Sequence, residues 1–213
     1  MKVNAYSIFT FLIVSSYAFG FVCIQLGYWP YLVAFTWFQM LLTAAALILH
    51  HVFEKPELRR NFLAFFAASA LIGYFIEVLG VNTGKVFGVY TYGEVLGIKW
   101  LETPLMIGVN WFLVSFVVNQ VLNRRDWPMW IHTFLAAAVI TALDVLIEPT
   151  AIATGMWSWE NDVVPMQNYI AWFGVSLVIS ALYKVLGPYE NERYSPLILW
   201  CMLLFFGLKV LLS

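Results

Sequence analysis

Residues 62–92 read FLAFFAASALIGYFIEVLGVNTGKVFGVYTY, and this stretch decides the fold. Its first part, 62–81, carries one charge, Glu77, and is otherwise long and apolar enough to cross a bilayer core as a helix. Asn82, Thr83 and Gly84 then give a turn signal, and Tyr90-Thr91-Tyr92 alternates aromatic, hydroxyl, aromatic. The same order recurs in 144–159, DVLIEPTAIATGMWSW. Setting Glu77 on Asp144 places Val-Leu on Val-Leu, Thr83 on Thr150 and Gly88 on Gly155. Tyr90-Thr91-Tyr92 then falls on Trp157-Ser158-Trp159. Further along, Pro104 and Trp111 are seven apart, as are Pro165 and Trp172, and Pro30 and Trp37 repeat that separation more faintly after Tyr28-Trp29.

Working outward on the same length scale gives seven spans, at about 5–26, 30–50, 62–81, 103–123, 129–149, 166–187 and 196–212. The first run continues past Gly20 to Leu26, longer than the apolar core of a signal peptide, and reads as a membrane helix. The expected fold is an all-α, polytopic membrane helix bundle, a single transmembrane domain over 1–213. It is built from repeated helix pairs plus a terminal helix.

Composition agrees. Of the 213 residues, 62% are hydrophobic, 18% aromatic and 11% charged, against about 45–50% apolar and about 25% charged in soluble domains. This excludes a disordered chain, a nucleic-acid binder with a basic stripe and an ordinary cytosolic enzyme. The net charge of −1 implies no electrostatic partner. Cys23 and Cys201 sit in apolar runs and read as small hydrophobes without zinc or disulfide spacing. With seven spans, the N-terminal side holds Lys2, Lys55, Arg59, Arg60, Arg124, Arg125, Lys184 and Arg193, and the other side Lys85, Lys99 and Lys209. The positive-inside rule then predicts a cytoplasmic N-terminus and an external C-terminus.

Carboxyls in apolar spans are costly, about 2.5–3.5 kcal/mol for Asp at a helix centre, and so need a reason. Glu77 ends the third span, Asp144 and Glu148 share a face near the end of the fifth, Glu102 precedes the fourth and Asn168 opens the sixth. Lys85 and Lys99 in the intervening loop are the nearby candidates for pairing. Carboxyls clustered in low dielectric oppose one another's ionisation, so at least one is expected to keep a proton at neutral pH, as an acid/base pair requires. The structural alternative is that they bond Asn82, Asn110, Asn168 or the loop backbone and only tie helices together. Tyr90, Tyr92, Trp100, Trp111, Trp157, Trp159 and Trp172 flank the acids. Such residues form interfacial belts, but their paired recurrence points to a frame for a flat apolar ligand or a developing cation. His50, His51 and His132 lie toward the opposite ends of their spans, and no metal site is read. Gly80, Gly84 and Gly88 straddle a helix end and read as turn glycines.

At these residues the sequence resembles a known family. EVLGVNTGKVFGVYTY, DVLIEPTAIATGMWSW and PMQNYIAW (165–172) are similar to the integral-membrane carotenoid biosynthesis protein family, which includes carotenoid 1,2-hydratases of the bisanhydrobacterioruberin and γ-carotene type. The repeat also resembles that of heterodimer-type lycopene cyclases, which carry a proline followed by paired glutamates. Here Glu102 precedes Pro104 and no glutamate pair follows Pro165.

The resemblance implies addition of water across the terminal C1=C2 bond of an acyclic carotenoid, giving a tertiary alcohol by acid/base chemistry without a redox step and so without a cofactor. Asp144 and Glu77 would be the central pair, with Glu148 and Glu102 as second candidates. Tyr90, Tyr92, Trp111, Trp157, Trp159 and Trp172 would frame the end group, and Asn82 and Asn168 would orient water or carboxyls. The implied partners are lipids, a carotenoid such as lycopene or γ-carotene entering from the bilayer, and other carotenoid enzymes; the implied location is a prokaryotic cell membrane. Two rivals use the same acids: a lycopene-type cyclase, and a proton-coupled small-molecule transporter. A retinal protein would need a lysine in the middle of the seventh span, where Lys209 lies close to the end.

Overall fold

The computed structural model describes residues 5–32, 35–187 and 192–212. The helices are α1 (Ala5–Gln25), a single turn α2 (Trp29–Leu32), α3 (Thr36–Leu49), α4 (Arg59–Thr83), α5 (Leu105–Leu122), α6 (Met129–Ala153), α7 (Met166–Leu186) and α8 (Tyr194–Leu211). One π-helical turn, His50–Glu54, prolongs α3. Seven of these elements, all but α2, are long and apolar enough to cross a membrane. Their outward faces carry exposed Phe11, Phe19, Phe53, Trp130, Ile170 and Trp200, as suits helices surrounded by lipid rather than water.

The element bounds differ from the sequence reading in several places: the third span, expected over 62–81, runs Arg59–Thr83, and the second and fifth change as well. Among the described residues the expected span 30–50 comprises a single turn, Trp29–Leu32, which contains Pro30, and a long helix from Thr36. The expected stop at Pro149 moves to Ala153. Proline deletes one amide hydrogen bond there, but the last turn still closes, with the Thr154 amide on the Thr150 carbonyl at 2.9 Å.

The repeat becomes a pseudo-two-fold arrangement. α4 packs on α5 and α6 on α7, giving two equivalent helix pairs. Beyond α4 and α6, strands β1 (Tyr90–Tyr92) and β4 (Trp157–Trp159) pair antiparallel, Tyr90 opposite Trp159, Thr91 opposite Ser158 and Tyr92 opposite Trp157. The two aligned segments therefore pair with each other about the Thr91–Ser158 hydroxyls, 3.1 Å apart. Down the bundle, equivalent residues of α5 and α7 meet in turn. Trp111 stacks on Trp172 with centroids 3.9 Å apart, Asn119 Nδ2 donates to Ser180 Oγ at 3.0 Å and Lys184 Nζ donates to Asn123 Oδ1 at 2.9 Å. α5 is buried along most of its length and touches α3, α4, α6, α7 and α8. Gly73 of α4 makes room for the stack, since a Cβ there would lie 2.3 Å from Trp111.

The fainter early copy adds no strand among the described residues: Trp29 opens a helical turn. A small hairpin, β2 (Lys99–Trp100) with β3 (Thr103–Pro104), precedes α5 and turns through Leu101 and Glu102 at positive φ.

Candidate active site

The end of the bundle that carries the strands also holds the acids. α4 supplies Glu77, α6 supplies Asp144 and Glu148 one turn apart, and the first turn of α7 supplies Asn168. Each is at most 3% exposed. Such groups must be bonded when removed from water, and they are. Glu77 Oε2 accepts from Tyr90 Oη at 2.5 Å and from Tyr92 Oη at 2.8 Å, while its Oε1 accepts from Trp111 Nε1 at 3.0 Å. Glu148 Oε2 accepts from Trp157 Nε1 at 3.0 Å and Trp159 Nε1 at 3.1 Å. Asp144 Oδ2 accepts from Asn168 Nδ2 at 2.9 Å.

The pseudo-symmetry is therefore not kept at the acids. Glu77 aligns with Asp144 in sequence, but the partner of the second aromatic pair is Glu148. An indole N–H sits on the flank of its ring whereas a phenol hydroxyl sits at the tip, so the tryptophans meet a carboxylate one turn nearer the strand. Asp144 is released from that duty and bonds Asn168 instead. Burial and the adjacent Glu77 carboxylate push the Tyr90 and Tyr92 hydroxyls well above the ordinary phenol range, so both remain donors.

The three acids, with Asn168, Tyr90, Tyr92, Trp157, Trp159, Phe87, Ile107 and Trp172, line a pocket of about 20 Å³, room for about one water molecule. Beside it lies an apolar cavity of about 480 Å³ walled by α1, α3, α5, α6 and α8, and Ile107 and Trp157 line both spaces.

Of the residues singled out from sequence, the fold brings together Glu77, Asp144, Glu148, Asn168, Tyr90, Tyr92, Trp111, Trp157, Trp159 and Trp172. Glu102 is not among them: it is exposed at the tip of the β2–β3 hairpin, at φ 60°. Asn82 is exposed too, and its Nδ2 donates to the carbonyls of Val78 at 2.8 Å and Leu101 at 3.2 Å, pinning that hairpin to α4. The expected lysine pairing also goes elsewhere, since Lys85 is exposed and Lys99 Nζ bonds Glu94 Oε1 at 2.7 Å. Trp100 stacks on Tyr74 beside the hairpin. Phe87 and Ile107 were missed because an apolar residue in an apolar chain carries no signal. Asn110 and Thr150 line the larger cavity, and a polar side chain inside a span was the available clue.

The model of the carotenoid biosynthesis protein family matches residues 35–213. Over 156 residues the chain is 32% identical to a bisanhydrobacterioruberin hydratase of Haloarcula japonica, an alignment covering 69% of this chain and 51% of that protein. The chain thus spans about half the length of that curated relative. No solved structure matches it.

Proposed function

Because the chain belongs to the carotenoid biosynthesis protein family, we propose that it hydrates the terminal C1=C2 bond of an acyclic carotenoid such as lycopene or γ-carotene. The observation that carries this reading is the junction at Ile107 and Trp157, where a buried acid cluster adjoins an apolar cavity of about 480 Å³. A cavity of this size is in the range that holds most of a small apolar ligand, here the end group of a polyene whose remainder lies among the helices and lipid. The hydratase name of the Haloarcula relative points the same way.

In this mechanism Asp144 is the general acid. A protonated carboxyl needs one oxygen for its proton, and the amide of Asn168 engages only Oδ2 of Asp144. The proton passes to C2, the π electrons form the new C–H bond, and C1 becomes a tertiary cation beside the faces of Trp157 and Trp159. Water closes a C–O bond at C1, and Glu148 takes the released proton and returns it to Asp144 on the same helix face. Glu77, with both oxygens engaged by three donors, holds the aromatic frame and supplies a fixed negative charge that stabilises the cation. Substrate and water make up the whole balance, so the scheme needs no cofactor.

Expression in a host that accumulates lycopene or γ-carotene tests the reading by mass spectrometry of the pigments. The expected product is heavier by one water; a ring-bearing isomer of unchanged mass would mean cyclisation, and substrate flux without conversion would mean transport. We also place the N-terminus in the cytoplasm, on the strength of the basic residues around Arg59, Arg60, Arg124 and Arg125. A cysteine substituted for exposed Lys85 is then expected to react with a membrane-impermeant thiol reagent in intact cells, and one at exposed Arg125 to stay unlabelled.

A further inference from the structure

We propose that Thr150 and Asn110 form an oxygen-binding subsite in the apolar cavity, which holds the water that captures the end-group cation. The proposal rests on the hydratase reading and adds positioning residues to it. Threonines inside helices normally return their hydroxyl to a carbonyl one turn back. Thr43 does so on Gln39 at 2.9 Å, Thr141 on Ala137 at 2.9 Å and Thr154 on Thr150 at 2.7 Å. Thr150 does not. It is 1% exposed, its hydroxyl has no hydrogen-bond partner among the described residues, and it lines the cavity. Leaving a buried hydroxyl without a partner costs stability, which a ligand oxygen would recover.

Its place fits such a ligand. Thr150 shares a face of α6 with Ile147, one turn back, which lines the same cavity, and Trp157, which lines both the cavity and the acid pocket, donates to Glu148 Oε2 at 3.0 Å. Across from Thr150 on α5, Asn110 also lines the cavity, and Ile107, one turn before Asn110, faces the acid pocket as well. The subsite thus sits where the apolar cavity meets the acids. The repeat does not demand this arrangement, because Thr83, the counterpart of Thr150, is exposed and bonds the Leu79 carbonyl at 2.5 Å. A hydroxyl and a primary amide together can accept one water proton and donate to the water oxygen. That fixes one lone pair toward C1 and one O–H toward Glu148, while the apolar wall keeps other waters out. The product alcohol would occupy the same position.

The test reads what becomes of the cation. If water is not held in place, the cation loses a proton from a carbon next to C1 and yields a shifted double bond at unchanged mass. For Thr150→Val and Asn110→Leu, both checked for monodisperse elution in detergent, the ratio of alcohol to shifted isomer is expected to fall at least tenfold from wild type. Thr150→Ser is expected to restore it. A purely structural role would lower both products together and leave the ratio unmoved. Wild-type alcohol with an unchanged ratio in both variants overturns the subsite alone. Absence of alcohol from the wild-type chain overturns the hydratase reading and the subsite with it.

Discussion

Glu77 and Asp144 occupy the same place in the repeat and differ in what they bond, and that difference sets what each substitution does. Asp144 keeps one partner, Asn168, so Asp144→Asn is expected to fold normally and to lose about 10²–10⁴-fold in turnover, the usual worth of a general acid. Glu77→Gln aims an amide N–H₂ at groups that themselves donate. It is expected to lower stability by about 1–3 kcal/mol, measured as the midpoint of thermal unfolding in detergent, as well as activity. The tyrosines give a pH test. Tyr90 and Tyr92 are raised above the ordinary value of 10.0 by burial, then by the charge of Glu77. A raised phenol leaves stability intact below the unfolded value and erodes it above, because the unfolded chain releases protons that the folded chain retains. Thermal stability should therefore fall as pH rises past about 10, and less steeply in a Tyr90→Phe, Tyr92→Phe variant. At this scale the acids were legible because a carboxyl in an apolar span must be explained. Glu102 was misleading because residue type alone does not distinguish a span's end from the tip of a hairpin.

Among elements, the repeat was legible as a matching order of acid, turn and aromatic pair, and it correctly marked α4–α5 and α6–α7 as equivalent. That β1 would pair with β4 was not, because a local pattern says which side chains share a face but not which distant segment they meet. Nor was the exchange of Asp144 for Glu148, which depends on where an indole carries its N–H. The α5–α7 contact shows the same limit. Ser180 and Asn119 are visible in sequence as polar residues inside spans, but not as partners, and they bond across the pseudo-axis in the buried centre of the bundle. The strand pair is held as closely as the helices: the Gly93 amide donates to the Met156 carbonyl at 2.9 Å, and a Cβ on Gly93 would lie 2.0 Å from the Gly155 carbonyl oxygen. Backbone cannot yield as a flexible side chain can. Gly93→Ala is thus expected to part β1 from β4, lowering the melting temperature and the turnover together although Gly93 is not among the residues lining the acid pocket. Thr91→Val, at the exposed Thr91–Ser158 bond, should stay within about 0.5 kcal/mol of wild type.

The whole molecule divides labour between its two ends and its middle. The acids and their aromatic frame lie at the strand-bearing end, the basic loops flank the other, and a cavity too large to be a packing defect opens between helices remote in sequence. Seven spans and their charge asymmetry could be counted from composition, but the cavity could not be seen that way. Its walls come from Gly20 and Cys23 of α1, Gln39 of α3, Asn110 of α5, Ile147 of α6 and Phe205 of α8, and nothing in any one segment announces the space they leave. If that space receives the polyene, filling it from the far wall should obstruct substrate and spare the chemistry. Gly20 is suited to this, since a Cβ there meets only Phe205 Cε2 at 3.6 Å, an ordinary contact, and α1 supplies none of the acids or their bonding partners. Gly20→Trp would place an indole in the cavity while Glu77, Asp144 and Glu148 keep their bonds, and the added apolar contact should leave the melting temperature unchanged or raised. The expected kinetic signature is a rise in KM for a long acyclic carotenoid of at least tenfold with a smaller change in kcat, because ground-state binding is lost rather than proton transfer. An unchanged KM would mean that the polyene lies elsewhere, and a fall in kcat alone would mean that the α1 wall acts on the acids and not on substrate entry.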